Sequence, residues 1–336
     1  MIRLERRLRA NRVREGSFDT EQPMLELASR ARSGRKVRTH LRRMEAVVML
    51  TPRWSRPQSF LEGIAMDLAV GHPALGCRTA SFQHLKNRSA TEAWRTTLNL
   101  IAQLTGAQGQ PLQITAPGSR KGFRSAVTTL LCRVNEQSPV PVALLGHSAE
   151  YLPLEVLEDL ALGWLDFTEM FPSPEDRRVV LMLAGCVDTP MFNLPGAPRV
   201  SLTDYGEAEA AAALVSHTGP AEHFLLEGAA RFTGGVPAMV DALGQGAREL
   251  GIIPRSRSGL IRALGSTADE IRGAVDIVAA DNHVADRLEI LRDGALHDEE
   301  PVLDARLFTA GLLRHVRTPG SRKVALRAPA IGSLLG

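Results

Sequence analysis

Apolar runs alternate with helical patterns over the first 200 residues of the chain. Short apolar or β-branched runs predict strands at residues 46–50, 77–82, 140–145 and 179–183. Amphipathic patterns between these runs predict helices at residues 60–69, 90–104, 122–136 and 154–164. Strands that alternate with helices are typical of a parallel sheet, and continuous apolar runs are typical of strands covered on both faces. We therefore expect an α/β fold with a parallel sheet.

The pattern changes after residue 200, where helical periodicity dominates. It predicts helices at residues 207–216, 221–232, 237–250, 267–280 and 284–292. The last unit is predicted as a helix at 303–313, two short strands around the turn at 318–321, and a closing segment at 330–335. A mainly helical region should therefore follow the α/β unit.

Length and composition restrict the class of protein. The 336 residues suffice for two or three domains with a sizeable core. No apolar run approaches the ~18–20 residues that a membrane helix needs, so we expect a cytoplasmic protein without a membrane partner. The three cysteines are far apart and not in C-x-x-C spacing, so we expect reduced thiols and no metal ligands.

Charge is distributed unevenly along the chain. Residues 1–44 carry 13 basic and 5 acidic residues, and residues 301–336 carry 6 basic and 1 acidic. Since the net charge is +3, the residues between carry −10. Basic ends predict contact with a polyanion such as duplex DNA. The alternative is a solvated tail together with contacts to the acidic surface of the protein itself.

The segment from Val47 to Leu61 has the layout of a phosphate-binding loop. A short apolar run leads into a turn and then a helical pattern, which is where nucleotide-binding folds carry G-x-x-x-x-G-K-[ST]. Thr51 and Arg56 stand at the two glycine positions, Pro57 at the lysine and Gln58 at the Ser/Thr. The layout is present, but the residues that bind phosphate are replaced.

Four later segments match further motifs in the same order. Residues 141–152 resemble a Walker B strand followed by Asp-Glu-Ala-x-Tyr-Leu, with His147 at the Asp and Ser148 at the Glu. Residues 178–186 look like a sensor-1 strand, and Gly235-Val236-Pro237 is similar to the G-x-P of a helical lid. Residues 284–335 look like a winged helix. With these motifs in this order, the chain resembles the AAA and STAND families of P-loop ATPases.

This resemblance implies a P-loop-like parallel sheet core with a helical lid and a small C-terminal winged-helix domain. The expected division is a basic N-terminal arm at 1–44, the α/β core at 45–200, the lid at 201–255, and linker helices with the winged helix at 256–336. The residues expected to form the degenerate nucleotide site are Arg53, Ser55, Pro57, Gln58, Ser59, His147 and Ser148.

The substitutions at this site predict that hydrolysis is lost. Pro57 removes a backbone N–H from the phosphate cradle and also the lysine that neutralises the phosphates. His147 removes the carboxylate that organises Mg²⁺, and Ser148 removes the base that positions water. We expect a pseudo-ATPase with no catalytic residue, metal or cofactor. The alternative is a regulator that still binds nucleotide without hydrolysing it.

A different reading of the same strand gives a second alternative. Gly146-His147-Ser148-Ala149-Glu150 matches the first four positions of the G-x-S-x-G nucleophile elbow of α/β-hydrolases, in which Ser148 would be the nucleophile. Glu150 does not fit the last position, and a hydrolase also needs a later Asp and His.

The C-terminal basic residues are the candidates for nucleic-acid binding. They are Arg306 on the expected recognition helix and Arg314, Arg317, Arg322, Lys323 and Arg327 in and beside the expected wing. We expect a scaffold, adaptor or regulatory subunit of a DNA-associated assembly, with self-association or an active AAA-type partner. The alternative is a winged helix that packs only on protein.

Overall fold

The computed structural model describes residues 31–105, 120–186, 194–318 and 321–335. Most of the predicted basic arm, residues 1–30, lies outside the described residues. Within these described ranges, no helix has both the length and the apolar character that a bilayer crossing demands.

The predicted parallel sheet is confirmed. It consists of β1 (Val47–Thr51), β2 (Gly76–Ser81), β3 (Val142–His147), β4 (Val179–Cys186) and β5 (Arg199–Ser201). The strand order is β2-β3-β4-β1-β5, and every neighbouring pair is parallel. Because β1, β3 and β4 are neighbours and run parallel, their carboxyl ends share one edge of the sheet.

Helices cover both faces of this sheet. They are α1 (Ala31–Arg42), α2 (Pro57–Gly71), α3 (Ala90–Thr105), α4 (Arg120–Gln137) and α5 (Leu154–Met170). The last four are the helices predicted from periodicity. Helix α1 belongs to the segment predicted as an arm, but its Val37 and Leu41 are fully buried in the core. The end of the arm is therefore part of the α/β unit.

The second half of the chain is mainly helical, as predicted. Its elements are α6 (Glu207–Thr218), α7 (His223–Thr233), α8 (Pro237–Leu250), α9 (Arg257–Ala263), α10 (Ser266–Ala279), α11 (Asn282–Leu291), β6 (His297–Asp298), α12 (Pro301–Thr309), β7 (Leu313–Thr318), β8 (Ser321–Leu326) and α13 (Pro329–Leu334). The three strands form an antiparallel sheet in the order β6-β8-β7.

The buried apolar residues form two clusters. The first runs from Val37 to Leu202 and the second from Tyr205 to Leu334. The boundary between them lies close to the predicted boundary at 200/201. The predicted division at 255/256 falls inside the second cluster, so α6–α8 and the later elements share one core. Trp54 is far from the second cluster in sequence but packs against it.

A buried ion pair fixes α12 within this second unit. Arg287 of α11 donates to both carboxylate oxygens of Asp304, at 2.9 and 3.0 Å, and both side chains are almost fully buried. Arg287 also donates to the carbonyl oxygen of Asp298 at 2.6 Å. A buried charge is costly unless it is paired and hydrogen-bonded, and here both conditions are met.

Candidate functional site: the loop between β1 and α2

The loop at residues 52–56 has the predicted layout. Thr51 ends β1 and Pro57 begins α2. Arg56, at the position of the second glycine, has φ 50° and ψ 61°, and Trp54 has φ 63°. This left-handed conformation costs a non-glycine residue about 1–2 kcal/mol. The loop therefore keeps a backbone that favours glycine although it contains no glycine.

Two carbonyl groups of the loop accept hydrogen bonds from the second half of the chain. Arg327 Nη1 donates to the carbonyl oxygen of Arg53, and the Ala238 N–H, in the first turn of α8, donates to that of Trp54 at 3.1 Å. Arg327 also binds both carboxylate oxygens of Asp204, with Nε to Oδ2 at 2.7 Å. In a phosphate cradle, backbone N–H groups point at the anion. In this chain the loop offers carbonyl oxygens to protein donors.

Close backbone packing holds the C-terminal unit on the same loop. Gly311 has φ 77°, and a Cβ there would lie 2.7 Å from the Cβ of Arg53 and 3.3 Å from the Trp54 ring. The Arg53 guanidinium lies 5.1 Å from the centre of the Trp54 ring, within the range of a cation–π contact. Only glycine allows the segment after α12 to approach the loop this closely.

The predicted lid motif packs beside this contact. Gly235 has φ 73°, and a Cβ there would lie 2.0 Å from the carbonyl oxygen of Tyr205. The Tyr205 N–H donates to the carbonyl oxygen of Gly235 at 2.9 Å. The start of α8 is thereby held at Trp54, and Asp241 of α8 lies 3.6 Å from Arg56. We call the contacts of Arg53, Trp54, Asp204, Ala238, Gly311 and Arg327 the loop junction.

The other predicted residues of β1 and α2 make local contacts. Ser55 is fully buried, and its N–H donates to the carbonyl oxygen of Pro52 at 3.1 Å. Pro57 is the first residue of α2 and has no N–H to donate. Gln58 is exposed and donates to Glu62 at 2.9 Å. Ser59 is half-buried in the first turn.

His147 and Ser148 lie at the end of β3, separated from β1 by β4. His147 is buried, and its Nδ1 lies 3.0 Å from Ser148 Oγ. Burial lowers the pKa of His147, and the nearby charge of Glu62 opposes this effect. Ser148 has φ 61°. The Cys186 N–H, at the end of β4, donates to Glu150 Oε2 at 3.2 Å.

Two histidines that follow Ser148 in the chain, His217 and His223, make contacts away from it. His217 lies 3.6 Å from Asp241 of α8, and His223 lies 3.4 Å from Glu227 of its own helix. The histidine in contact with Ser148 is its neighbour His147. Across the described ranges, no group of three or more His, Cys, Asp or Glu side chains could hold a metal ion.

The prediction that Arg327 contacts nucleic acid is wrong. Its side chain is 2% exposed and is bound by Asp204 and the Arg53 carbonyl, so a phosphate cannot reach it. Sequence reasoning missed this role, because the pattern around residue 327 gives no sign that the side chain turns inward. Asp204 and Ala238 were likewise not assigned to the site.

The other predicted basic residues lie on the C-terminal unit. Arg306 is exposed and pairs with Asp281, and Lys323 Nζ lies 2.7 Å from Asp298 Oδ1. Arg314 is exposed on β7. The backbones of Arg317 and Arg322 pair in the β7–β8 hairpin, and their side chains lie outside the described part of the structure.

Comparison with known proteins connects this architecture to ATPases. No family model matches the chain, and no curated protein matches its sequence. A Walker-type ATPase of Pyrococcus abyssi is similar in structure, with a TM-score of 0.64 and 14% identity over 91% of this chain and 95% of that chain.

Two further structures are similar at lower TM-scores. The RuvB Holliday junction branch migration motor of Thermotoga maritima has a TM-score of 0.42 and 13% identity over 93% of this chain and 95% of its own. A STAND protein with a tetratricopeptide repeat sensor from Pyrococcus horikoshii has a TM-score of 0.39 and 11% identity, over 90% of this chain and 41% of its own. On the first of these three comparisons, the chain has the α/β fold of a Walker-type ATPase.

Proposed function

We propose that this protein is a non-catalytic relative of the AAA and STAND ATPases, in which the loop at 52–56 is a structural joint instead of a phosphate site. The observation that carries the proposal is the pair of hydrogen bonds from Arg327 and Ala238 to the loop carbonyls. Carbonyl oxygens repel an anion, so a loop that directs two of them at its partners is unsuited to phosphate.

The residues around the joint support the same proposal. The loop contains no lysine, Pro57 removes one N–H, and β3 ends in His147 and Ser148 where metal-dependent hydrolysis needs carboxylates. Each of these groups contributes orders of magnitude to phosphoryl transfer. Their joint loss leaves the chain without a means of neutralising the phosphates or activating water.

The joint connects the two clusters of the molecule, which fits a scaffold, adaptor or regulatory subunit. Arg53 and Trp54 follow the end of β1 and are held by α8, Gly311 and Arg327, which all belong to the second half of the chain. A change in one unit would therefore be transmitted to the edge of the sheet in the other. We also propose that α10–α12 with the β6-β8-β7 sheet form a winged helix, because three helices and a terminal hairpin are its components.

The first test is nucleotide binding and turnover by the full chain. We expect no phosphate release above the level of a buffer control, and no rise in melting temperature with millimolar MgATP or MgADP. A ligand that binds the folded state raises its stability by RT ln(1 + [L]/Kd), so binding would be visible as a shift. A shift without turnover would support the nucleotide-binding regulator, and turnover would refute the proposal.

The hydrolase alternative has its own test. A fluorophosphonate probe should leave the protein unlabelled, because the imidazole beside Ser148 is that of its own buried neighbour His147, and within the described residues no carboxylate hydrogen-bonds to that ring. Labelling that disappears in Ser148→Ala would favour the hydrolase. A Ser173→Ala variant, which alters a serine in the loop after α5, is the matched control.

DNA binding remains a prediction for Arg306, Arg314, Arg317, Arg322 and Lys323. It is tested at Arg314, Arg317 and Arg322. A triple change of these residues to Gln should reduce duplex binding and flatten its dependence on salt. A triple change of Arg248, Arg262 and Arg272 to Gln, in α8, α9 and α10, keeps the same net charge and serves as the control. Equal binding by both variants would place any DNA contact elsewhere.

A further inference from the structure

Helix α1 and the turn after it carry a row of basic side chains on their solvent side. Residues 31–44 contain six Arg and Lys residues and no Asp or Glu. Val37 and Leu41 are fully buried, and the exposed residues recur at helical spacing on the opposite side. Five of these exposed residues are basic, and we call them the basic stripe: Arg32, Arg35, Lys36, Arg42 and Arg43.

The helix that carries the stripe is fixed to the sheet from its other side. Ser33 is buried, and its hydroxyl donates to the carbonyl oxygen of Ser201, in the edge strand β5, at 2.8 Å. Arg38 pairs with Asp67 of α2 at 2.8 Å, and the apolar side of α1 belongs to the first cluster. A surface that is already ordered loses less conformational entropy on binding than a mobile one.

The basic stripe is not neutralised by the acidic residues beside it. Asp67 is paired with Arg38, and Glu45 Oε2 lies 2.6 Å from His40 Nδ1. Within the described residues, no carboxylate forms an ion pair with a member of the stripe. Members that are three or four residues apart on the helix repel each other. Contacts among the described residues therefore do not account for the stripe.

The spacing of the stripe fits the phosphate groups of a duplex. Its ends, Arg32 and Arg43, are eleven positions apart, which is about 16 Å along a helix. Duplex DNA has one phosphate per about 3.4 Å of axis on each strand, so one strand presents about five phosphates over this length. Five basic side chains can therefore meet five phosphates.

Other anionic partners fit the stripe less well. Helix α1 contains no aromatic residue on which an unpaired base could stack. Its apolar residues Val37 and Leu41 lie in the core, so they cannot insert into a bilayer. Protein interfaces are depleted in lysine and have an apolar centre, whereas the exposed side of α1 consists of basic residues and Thr39. A surface of this kind favours the backbone of a duplex.

We propose that the basic stripe binds the phosphate backbone of duplex DNA without reading its sequence. The inference rests on the proposed DNA association and moves its main contact from the C-terminal unit to α1. On the C-terminal unit, Arg306 and Lys323 are already paired with Asp281 and Asp298. The inference is independent of the proposed loss of ATPase activity.

Fluorescence anisotropy of the full chain with a short labelled duplex tests the proposal. If all five members contact phosphates, the logarithm of the binding constant should fall with the logarithm of the salt concentration with a slope of about −4.5 or steeper. A variant with Arg32→Gln, Arg35→Gln and Lys36→Gln should bind at least about tenfold more weakly at low salt, with a slope shallower by about 2.7. Duplexes of different sequence should bind the wild type equally well.

Two controls separate a phosphate contact from a structural effect. The triple Gln variant of Arg248, Arg262 and Arg272 has the same net charge and should bind as the wild type does. A variant with Arg32→Lys and Arg35→Lys keeps both charges and should also bind, since a phosphate contact needs the charge. The Gln variant of the stripe should not melt lower than the wild type, because it relieves repulsion along the helix. A stripe variant that binds as tightly as the control would overturn the proposal.

The remaining outcomes distinguish this inference from the proposed DNA association. If the triple change of Arg314, Arg317 and Arg322 abolishes duplex binding and the stripe variant does not, the association stands and the stripe is not its contact. A wild type that binds no duplex would overturn both. Binding to phosphatidylserine vesicles without binding to the duplex would overturn both as well and assign the stripe to a membrane surface.

Discussion

Replacing Arg327 by Met should uncouple the two clusters of the molecule. Arg327 is 2% exposed and supplies three donors to the loop junction, two to Asp204 and one to the Arg53 carbonyl. Methionine keeps much of the aliphatic packing and removes all three donors. The Asp204 carboxylate and the Arg53 carbonyl then lose their partner.

The expected loss of stability in Arg327→Met follows from the burial of the Arg327 and Asp204 charges. Removing one partner of a fully buried ion pair costs about 3–5 kcal/mol. Asp204 keeps 21% of its side chain exposed, so water can solvate part of the released charge. The lost hydrogen bond to the Arg53 carbonyl adds to the cost. We expect the free energy of unfolding to fall by about 2–4 kcal/mol.

Urea unfolding followed by circular dichroism measures this change, together with hydrogen exchange at Ala238. The Ala238 N–H is bound to the Trp54 carbonyl, so its protection reports on the junction directly. Because the chain has two clusters, the variant should show the second cluster unfolding separately from the first. Arg314→Met, which removes an exposed arginine of β7, is the control and should change stability by less than about 0.5 kcal/mol.

The double variant Asp204→Leu with Arg327→Met separates the pair from the packing. Removing both charges leaves no unpaired carboxylate, so it should be more stable than Arg327→Met alone by about 1 kcal/mol or more. A single variant that loses less than about 1 kcal/mol, with unchanged exchange at Ala238, would refute the idea that this arginine joins the two clusters.

Three further predictions concern other features. Gly311→Ala should cost about 2–4 kcal/mol in urea unfolding, because its Cβ would meet Arg53, whereas Gly273→Ala in α10, where nothing lies within 4 Å, should stabilise by about 0.5–1 kcal/mol. Asp304→Ala should cost about 2–4 kcal/mol by the same assay, since it removes the buried carboxylate of Arg287 and leaves only the more exposed Glu300, at 2.8 Å, to pair with it, and a loss below about 1 kcal/mol would contradict this. Burial lowers the pKa of His147 below its ordinary value of 6.5. At and below pH 6.5 the unfolded chain therefore binds a proton that the folded chain does not, and the free energy of unfolding should decrease as the pH is lowered through this range. His147→Gln should make that fall shallower, and an unchanged slope would assign it to other groups.

The main strands and helices could be predicted because their signal is local. The runs at 140–145 and 179–183 are apolar throughout, and the structure places both in the middle of the sheet. The layout of the loop was also predictable, since an apolar run, a turn and Pro57 leave few positions for the start of α2. These features depend on residues that are neighbours in sequence.

The loop junction could not be predicted because the residues that form it are far apart in the sequence. Arg327 and Asp204 are 123 residues apart, and an arginine near a Pro-Gly turn is ordinarily exposed. Helix α1 is similar, since Val37 and Leu41 lie among basic residues and become buried only against the completed sheet. Strand β5 has three residues and too little pattern to be recognised.

The distance between Arg53 and Arg327 also has a consequence for synthesis. These residues are separated by 274 positions, and synthesis proceeds from the N-terminus. Strand β1 and helix α2 can form early, but the loop between them cannot acquire its final hydrogen bonds until nearly the whole chain has been made. Contacts of such long range form slowly. The two left-handed residues of the loop therefore remain without these hydrogen bonds until translation is almost complete. A chain truncated before Arg327 would expose, at one edge of its sheet, a loop that lacks its final hydrogen-bond donor.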